Sequence, residues 1–391
     1  MTGRLPKRIG ITGARRAFIG GDTGGLPKKE LTLAEMLKKA GYRTGMVGKW
    51  HLEINERNRT DGSHLPSRHG FDFVGPNMPL SNAWECDETG FFQEGPPDPA
   101  KCFLYDGDTI VQQPIHFDET LTKRLVDGWL RFLAEGEGDR RPFFFYFSFP
   151  HVHVAQFASQ SFKGKSQRDL FGDNLFEMAW AVEQVMNSLR GPGMASKNLV
   201  LFTSDHGPHR EMRNYGGSTA GLRAKWPLDG VEALEWFLGR RIGKAYGLFR
   251  DRLILYYCSC VLMAARSGRY KAHWRTVRHA LEELSTEEFC PGGKSLSSFF
   301  MAVECPLGDD DLDEHYPPLL FDLEVDPYER VPLPASSLPE KALEEMQRRA
   351  EETERSIAVE ANEDQIGREG GSAADVVPCC DYQRCTCDYY S

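Results

Sequence analysis

Pro142-Phe143-Phe144-Phe145-Tyr146-Phe147-Ser148-Phe149-Pro150-His151-Val152-His153 is the stretch on which the fold turns. Six of the seven residues from Phe143 to Phe149 are aromatic and none alternates with a charged neighbour, so a strand here is apolar on both faces. Pro142 stops the element before it, a helix expected from about Glu119 to Ala134, where Leu121, Leu125, Trp129, Leu130 and Leu133 recur at helical spacing. Downstream a second helix is expected over roughly Asp169 to Arg190, with Met178, Val182, Val185, Met186 and Leu189 as its apolar stripe. Gly191-Pro192-Gly193 breaks it, and Asn198-Leu199-Val200-Leu201-Phe202-Thr203 reads as another buried strand. Upstream, Thr32-Leu33-Ala34-Glu35 has the form of a capping box and opens a short helix with Leu33, Met36 and Leu37 on one face. Gly41 ends it, and Arg43 to Gly48 reads as a strand. Strands without alternation, each preceded by an amphipathic helix, imply an α/β arrangement around a parallel sheet covered on both faces.

The texture changes after about residue 250. Val261 to Ala265 and Arg269 to Trp274 flank Ser267-Gly268 as an antiparallel hairpin, Pro317 to Leu323 reads as a strand, and a charged helix follows from about Pro339 to Ser356. This predicts an α/β region over 1–250, a smaller α+β region over 251–358 and a loose, cysteine-rich tail over 359–391.

Composition narrows the partners. Of 391 residues, 57 are acidic and 47 basic, a net charge of −10 that repels phosphate backbones, so nucleic acid is not expected as a partner. No apolar run approaches the 18 or more residues of a membrane span. Ten cysteines, four of them at Cys379, Cys380, Cys385 and Cys387, favour disulfides in an oxidising compartment over zinc, since the cluster lacks a C-x2-C pair and a nearby histidine. The sequon Asn58-Arg59-Thr60 agrees with a secretory route, whereas Met1 to Arg8 has charge with no apolar run behind it, and so no visible signal peptide.

Three strand ends carry polar clusters, and ligands of open parallel sheets bind outside strand C-termini. In Gly48-Lys49-Trp50-His51-Leu52, Lys49 and His51 share a face if the strand continues through them. A solvated lysine and a hydrogen-bonded histidine are the ordinary alternative. Pro150-His151-Val152-His153 again sets two histidines on one face of an extended segment, as metal ligands or as plainly hydrogen-bonded side chains. Thr203-Ser204-Asp205-His206-Gly207 places an acid and a histidine after a strand, as a ligand pair or as an Asx-type turn. Together, cations and imidazoles around an Asp-held divalent ion suit a tetrahedral oxyanion ester.

Gly45-Met46-Val47-Gly48-Lys49-Trp50-His51-Leu52 resembles the G-K-W-H-L-G signature of the sulfatases, departing at Glu53, where that family has glycine. Further matches keep the family's order: His151-Val152-His153, Ser161 to Ser166, Gly172-Asp173, Thr203 to Gly207 and Gly216-Gly217-Ser218. Arg269 to Trp274, Pro317 to Leu323 and Asp326-Pro327-Tyr328-Glu329-Arg330 are similar to the tail region of arylsulfatases, including the steryl and galactosamine-6-sulfatase types. The resemblance implies an alkaline-phosphatase-like α/β sandwich with a mostly parallel central sheet, plus a smaller C-terminal α+β domain with an antiparallel sheet. It implies calcium-dependent hydrolysis of steroid, lipid or glycan sulfate esters in a lysosomal, endoplasmic-reticulum or secreted setting.

Residue by residue, the resemblance assigns Asp205 and His206 to the metal, Lys49 and Lys225 to the sulfate, His51 to collapse of the sulfated intermediate and His153 to the leaving oxygen. His151 is expected to be structural. The family's nucleophile is a formylglycine made from cysteine in a C-x-P-S-R motif, and none of the ten cysteines stands in one. Thr2-Gly3-Arg4-Leu5-Pro6 is similar to the family's sequence just beyond that motif, and a second gap is expected after Trp226. The expectation is therefore a sulfatase chain, N-terminally truncated and internally deleted, that is inactive as written. The alternatives are a catalytically silent relative that binds sulfated glycans or lipids and, disfavoured by the G-K-W-H-L match, a metal-dependent phosphohydrolase.

Overall fold

The computed structural model describes residues 1–4, 6–9, 25–79, 103–113, 115, 120–153, 156–191, 194, 197–205, 253–258, 261–277, 312–334 and 339–360. They fall into two compact units, carried by Met1–Leu199 and Val200–Asn362. The first unit runs α1 (Leu33–Lys39), β1 (Arg43–Lys49), β2 (Phe73–Met78), β3 (Leu104–Asp106), β4 (Thr109–Gln112), α2 (Leu121–Glu135), β5 (Phe143–Ser148) and α3 (Asp169–Ser188). Its sheet has the order β4-β3-β2-β1-β5, with β1 parallel to both β2 and β5. β3 and β4 are antiparallel additions at the β2 edge, joined by a turn through Gly107 and Asp108. The sheet is therefore parallel at its centre, as expected, and antiparallel at the β2 edge, where a two-residue turn between β3 and β4 cannot make the crossover that a parallel pair needs.

β5 is apolar on both faces because both faces are packed. Phe143, Phe145 and Phe147 join Trp129 and Phe132 of α2, while Phe144 and Tyr146 join Ala34, Met46, Trp50, Phe71 and Val74. The Phe145 ring lies 4.7 Å from Trp129 and 4.8 Å from Phe132. Arg43 closes this layer, its guanidinium 3.8 Å from the Phe132 ring centre and donating to the Phe132 carbonyl at 2.7 Å.

The helices form where expected, but their buried faces differ. On α1 the capping box is present, with Thr32 Oγ1 accepting from Glu35 N at 3.1 Å and Glu35 Oε2 from Thr32 N at 2.7 Å. Leu33 and Met36 are exposed and Ala34 is the buried residue, since so short a helix can lie close to β1 only on a small side chain. On α2 the buried face is turned toward Thr122, Val126 and Phe132, leaving Leu130 exposed. On α3 the buried residues are Gly172, Asp173, Asn174, Glu177 and Ala181, and the expected stripe is half-buried except for buried Leu189. The Asn198–Thr203 run forms no strand. Leu199 is 93% exposed, because a strand needs a ladder partner and none of the described residues supplies one.

The second unit holds the antiparallel sheet β6 (Leu253–Cys258), β7 (Val261–Ser267), β8 (Tyr270–Val277) and β9 (Leu312–Asp322), in that order, and α4 (Glu340–Glu360). The β7–β8 hairpin turns at Gly268, whose φ of 60° suits glycine. Ala265, Ala272 and Leu320 pack against Met346 of α4. The motifs Arg269–Trp274 and Asp326–Arg330 meet here. Lys271 Nζ donates to Glu329 Oε1 at 2.8 Å, His273 Nε2 lies 2.7 Å from Glu329 Oε2, and Arg269 grips Asp322 with two nitrogens. The predicted hairpin, strand and charged helix are all present, the strand beginning earlier, at Leu312. The tail beyond residue 360, including Cys379 to Cys387, lies outside the described residues.

Candidate active site

The register between β1 and β5 decides where the first two clusters lie. Val47 pairs with Phe147 and Gly48 with Ser148, so Lys49 to His51 and Phe149 to His153 leave the sheet side by side at its C-terminal edge. The close approach requires glycine: a Cβ on Gly48 would stand 1.8 Å from the Ser148 carbonyl oxygen, and Gly48 has φ of 92°. Beneath them the end of β1 is anchored by Trp50, whose backbone N donates to Met78 O at 2.8 Å and whose indole N–H donates to His64 O at 2.8 Å. The His64 and His69 rings stack 6.3 Å apart nearby, and burial holds His69 at about 4, an uncharged filler of the layer.

Both segments turn sharply rather than running on as strands. β1 ends at Lys49, and His51 has φ of 54° and Glu53 of 81°. Lys49 and His51 are therefore not placed on one face by strand alternation, as the sequence suggested. The left-handed φ at Glu53 also explains why glycine suits that position in the sulfatase signature. Val152, a β-branched residue, has φ of 61°, so His151 and His153 do not share a face either. Each such backbone costs of order 1–3 kcal/mol and persists only where surrounding structure imposes it, a condition typical of functional sites. Among the described residues, three of the five non-glycine residues with positive φ lie at these two adjacent strand ends.

The two histidines have different roles in the structure. His151 is buried between Phe149 and Phe157, its Nε2 lies 3.0 Å from Thr122 Oγ1, and burial pulls it down to about 3, so it is neutral and structural. His153 is half-buried on the loop beyond it. Lys49 and His51 are likewise half-buried.

That loop is held by the polar face of α3, the feature the sequence reading missed. Asn174 Oδ1 accepts from Val152 N at 2.6 Å, Asn174 Nδ2 donates to Phe157 O at 2.7 Å, and Glu177 Oε2 accepts from Ser159 N at 2.6 Å. Asp173 accepts from Gly164, Lys165 and Ser166 backbone N at 2.7, 3.0 and 2.8 Å. Burial alone would raise the Asp173 carboxyl, but the three N–H donors hold it below the usual carboxylate range. The available signal was the spacing of Asp173, Asn174 and Glu177, which share a helical face at i, i+1 and i+4. Asp173→Ala is expected to cost about 3 kcal/mol or more, since it removes three hydrogen bonds to a charged group, each worth about 1.5–3 kcal/mol and not fully additive. Amide exchange at Gly164, Lys165 and Ser166 should accelerate, whereas unchanged exchange would remove Asp173 as the loop's anchor.

Asp205 lies in an exposed stretch without regular structure in the second unit, and His206 and Lys225 fall outside the described residues. Among the described residues no group of three His, Cys, Asp or Glu side chains is placed to hold a metal ion. Among them also, no helix is long and apolar enough to cross a membrane.

Comparison with known proteins bears on the whole chain. The sulfatase family profile matches residues 1–240, and the profile for the C-terminal region of aryl-sulfatase matches residues 250–387. An arylsulfatase of Hemicentrotus pulcherrimus is 40% identical over 383 residues, covering 86% of this chain and 68% of that relative. A steryl-sulfatase of Mus musculus is 30% identical, covering 87% of this chain and 70% of its own length. The crystal structure of the PsFucS1 sulfatase from Pseudoalteromonas sp. superposes with a TM-score of 0.64 at 17% identity, over 94% of this chain and 80% of that one. The fold is thus the alkaline-phosphatase-like fold of enzymes that cleave sulfuric esters. The chain belongs to the sulfatase family.

Proposed function

We propose that the C-terminal ends of β1 and β5 form a sulfate-ester site in which Lys49 pairs with the sulfate oxygens, His153 hydrogen-bonds the leaving ester oxygen and His51 is the histidine assigned to collapse of the sulfated intermediate. The register that sets Gly48 against Ser148 carries this reading, because it delivers the two motif ends to one edge of the sheet. A lysine ammonium neutralises sulfate charge, and an imidazole is a suitable donor to an oxygen on which charge accumulates. Lys225, at the G-L-R-A-K-W run, is assigned to the same sulfate on its motif alone.

The 391-residue chain is expected to bind without turnover, since none of its cysteines stands in a C-x-P-S-R motif. Calcium is the ion the family resemblance implies, with Asp205 and His206 as ligands. One carboxylate and one imidazole fall short of the six to eight oxygens that calcium takes, and the described residues do not complete the set. No step is therefore routed through a metal. We place the protein in a lysosomal, reticular or secretory setting with disulfides. Its ten cysteines support this, as does the exposed Asn58 of the sequon, in a turn whose N–H groups Asp61 accepts.

The test is titration of the purified chain with 4-nitrocatechol sulfate. Saturable binding without release of 4-nitrocatechol is expected, weakened tenfold or more by Lys49→Ala. Turnover at rates usual for a sulfatase would overturn the assignment of silence, and binding indifferent to Lys49→Ala would overturn the site.

A further inference from the structure

The sequon Asn58-Arg59-Thr60 does no work in the sulfate-ester reading, and no other Asn-x-Ser/Thr triplet occurs in the 391 residues. It lies between β1 and β2, where residues 50–65 form neither helix nor strand. The base of this loop is closed by His64 N, which donates to Ile54 O at 2.9 Å. Inside it, Asp61 accepts from the backbone N of Glu56, Arg57, Asn58 and Ser63 at 3.1, 2.6, 2.9 and 2.9 Å. A carboxylate turned on four N–H donors holds backbone and not a cation. The loop has two asparagines and uses them differently. Asn55 is 1% exposed, with Oδ1 accepting from Gly62 N at 2.8 Å and Nδ2 donating to Arg59 O at 3.1 Å, so both ends of its amide serve the fold. Asn58 is exposed, and its Oδ1 accepts from Thr60 N and from Thr60 Oγ1, each at 3.0 Å. Among the described residues, nothing accepts a hydrogen bond from Asn58 Nδ2. The hydroxyl that the motif demands therefore lies against the carboxamide, and the nitrogen is left open to substitution.

We propose that Asn58 is a site of N-glycosylation. The co-reactant is an oligosaccharide carried on a lipid pyrophosphate. Asn58 Nδ2 bonds to the anomeric carbon of the first sugar as the bond from that carbon to the phosphate oxygen breaks. The lipid pyrophosphate leaves with the bonding pair, the amide nitrogen gives up one proton, and nothing is oxidised or reduced. The substituted nitrogen keeps one N–H, and Oδ1 keeps both bonds from Thr60, so the folded loop carries the sugar without losing a hydrogen bond. Asn55, three residues earlier, could not: a sugar on its nitrogen has no room in a side chain that is almost wholly buried. The fold thus separates a structural asparagine from an acceptor, on an exposed loop of the kind that carries such glycans. The inference rests on the secretory part of the reading above.

The experiment delivers the full 391-residue chain to the secretory lumen of cultured cells behind a cleavable leader, with a C-terminal tag whose own acceptor triplet reports arrival. Two glycans are expected, one on the tag and one on the chain, both removed by peptide N-glycosidase F. Peptide mass spectrometry should then find the amide at position 58 converted to a carboxylate. Asn58→Gln and Thr60→Ala should each lose the glycan of the chain and keep that of the tag, whereas Thr60→Ser should keep both. Attachment requires only the triplet and not a finished fold, so these outcomes hold even where a variant folds poorly. A glycosylated tag beside an unmodified Asn58 in the parent chain overturns the proposal, as does full occupancy in Thr60→Ala, which would mean that the hydroxyl has no part in it. Because the leader is supplied, either result bears on Asn58 and not on where the native protein resides. Recovery of the native protein from the cytosol alone would instead overturn the secretory reading, and the occupancy of Asn58 in the cell with it.

Discussion

Gly48→Ala is expected to separate β1 from β5 and abolish sulfate-ester binding together with much of the stability of the first unit. Two effects add. The φ of 92° is left-handed, costing of order 1–3 kcal/mol for a residue with a side chain, and the new Cβ would lie 1.8 Å from the Ser148 carbonyl oxygen, where real contacts are not shorter than 3.0 Å. That oxygen belongs to the backbone of the neighbouring strand, so the overlap is relieved only by moving the strands apart, at a further ~1–3 kcal/mol. The sum, about 2–6 kcal/mol, is a large part of the 5–15 kcal/mol that holds a typical domain. Gly138→Ala is the matched control: its φ is 86° but nothing lies within 4 Å of the added carbon, so only the conformational part should be felt. Urea denaturation of the two variants separates the terms, and equal midpoints would show that the β1–β5 contact is not tight.

Glu329→Ala should have an effect of similar size on the second unit. Its carboxylate receives both Lys271 and His273, and the Lys271 and Glu329 side chains are each only 3% exposed. Removing one member of a buried ion pair leaves a charge in a low-dielectric interior and typically costs 3–5 kcal/mol. Burial alone would raise the Glu329 carboxyl, but the hydrogen bond from His273 and the charge of Lys271 hold it below the ordinary value. The sign of the pH effect follows: with the folded-state value below the unfolded one, the stabilisation is complete above about 4.5 and is lost as pH falls through the depressed folded value. Glu329→Ala should therefore flatten the acid limb of the thermal stability profile as well as lower it. Glu345→Ala on α4, which removes a fully exposed partner of Arg348, should leave the midpoint where it is. A Glu329→Ala chain that melts with the parent at neutral pH would refute the assignment.

Much of the architecture was legible because it rests on local chemistry. The capping box at Thr32 and Glu35, the turn at Gly268 and the doubly apolar strand at Phe143–Phe147 each declare themselves within a few residues. The strand ends bearing Lys49, His51 and His153 were legible as motifs, but their backbone was not, since left-handed φ at His51, Glu53 and Val152 is imposed by the surroundings and not preferred by those residues. The buried face of α3 was misread for a related reason. Apolar periodicity cannot register an Asp173 whose burial is compensated by three N–H groups of a loop. Leu199–Phe202 was misread because an apolar run shows that a strand is possible, while its partner is a non-local matter.

The parallel pairing of Arg43 with Phe143 has a consequence for the order of events during synthesis. One hundred residues separate the two partners in the chain. At about 5–20 residues per second, the ribosome delivers β5 roughly 5–20 s after β1 has emerged. Through that interval Met46 and Val47 can be matched by β2 on one side alone, and the Gly48 face that admits only a close backbone stays open. The edge beside Lys49 is thus the last part of this sheet to be completed, and chaperones that recognise extended apolar segments have their longest opportunity there.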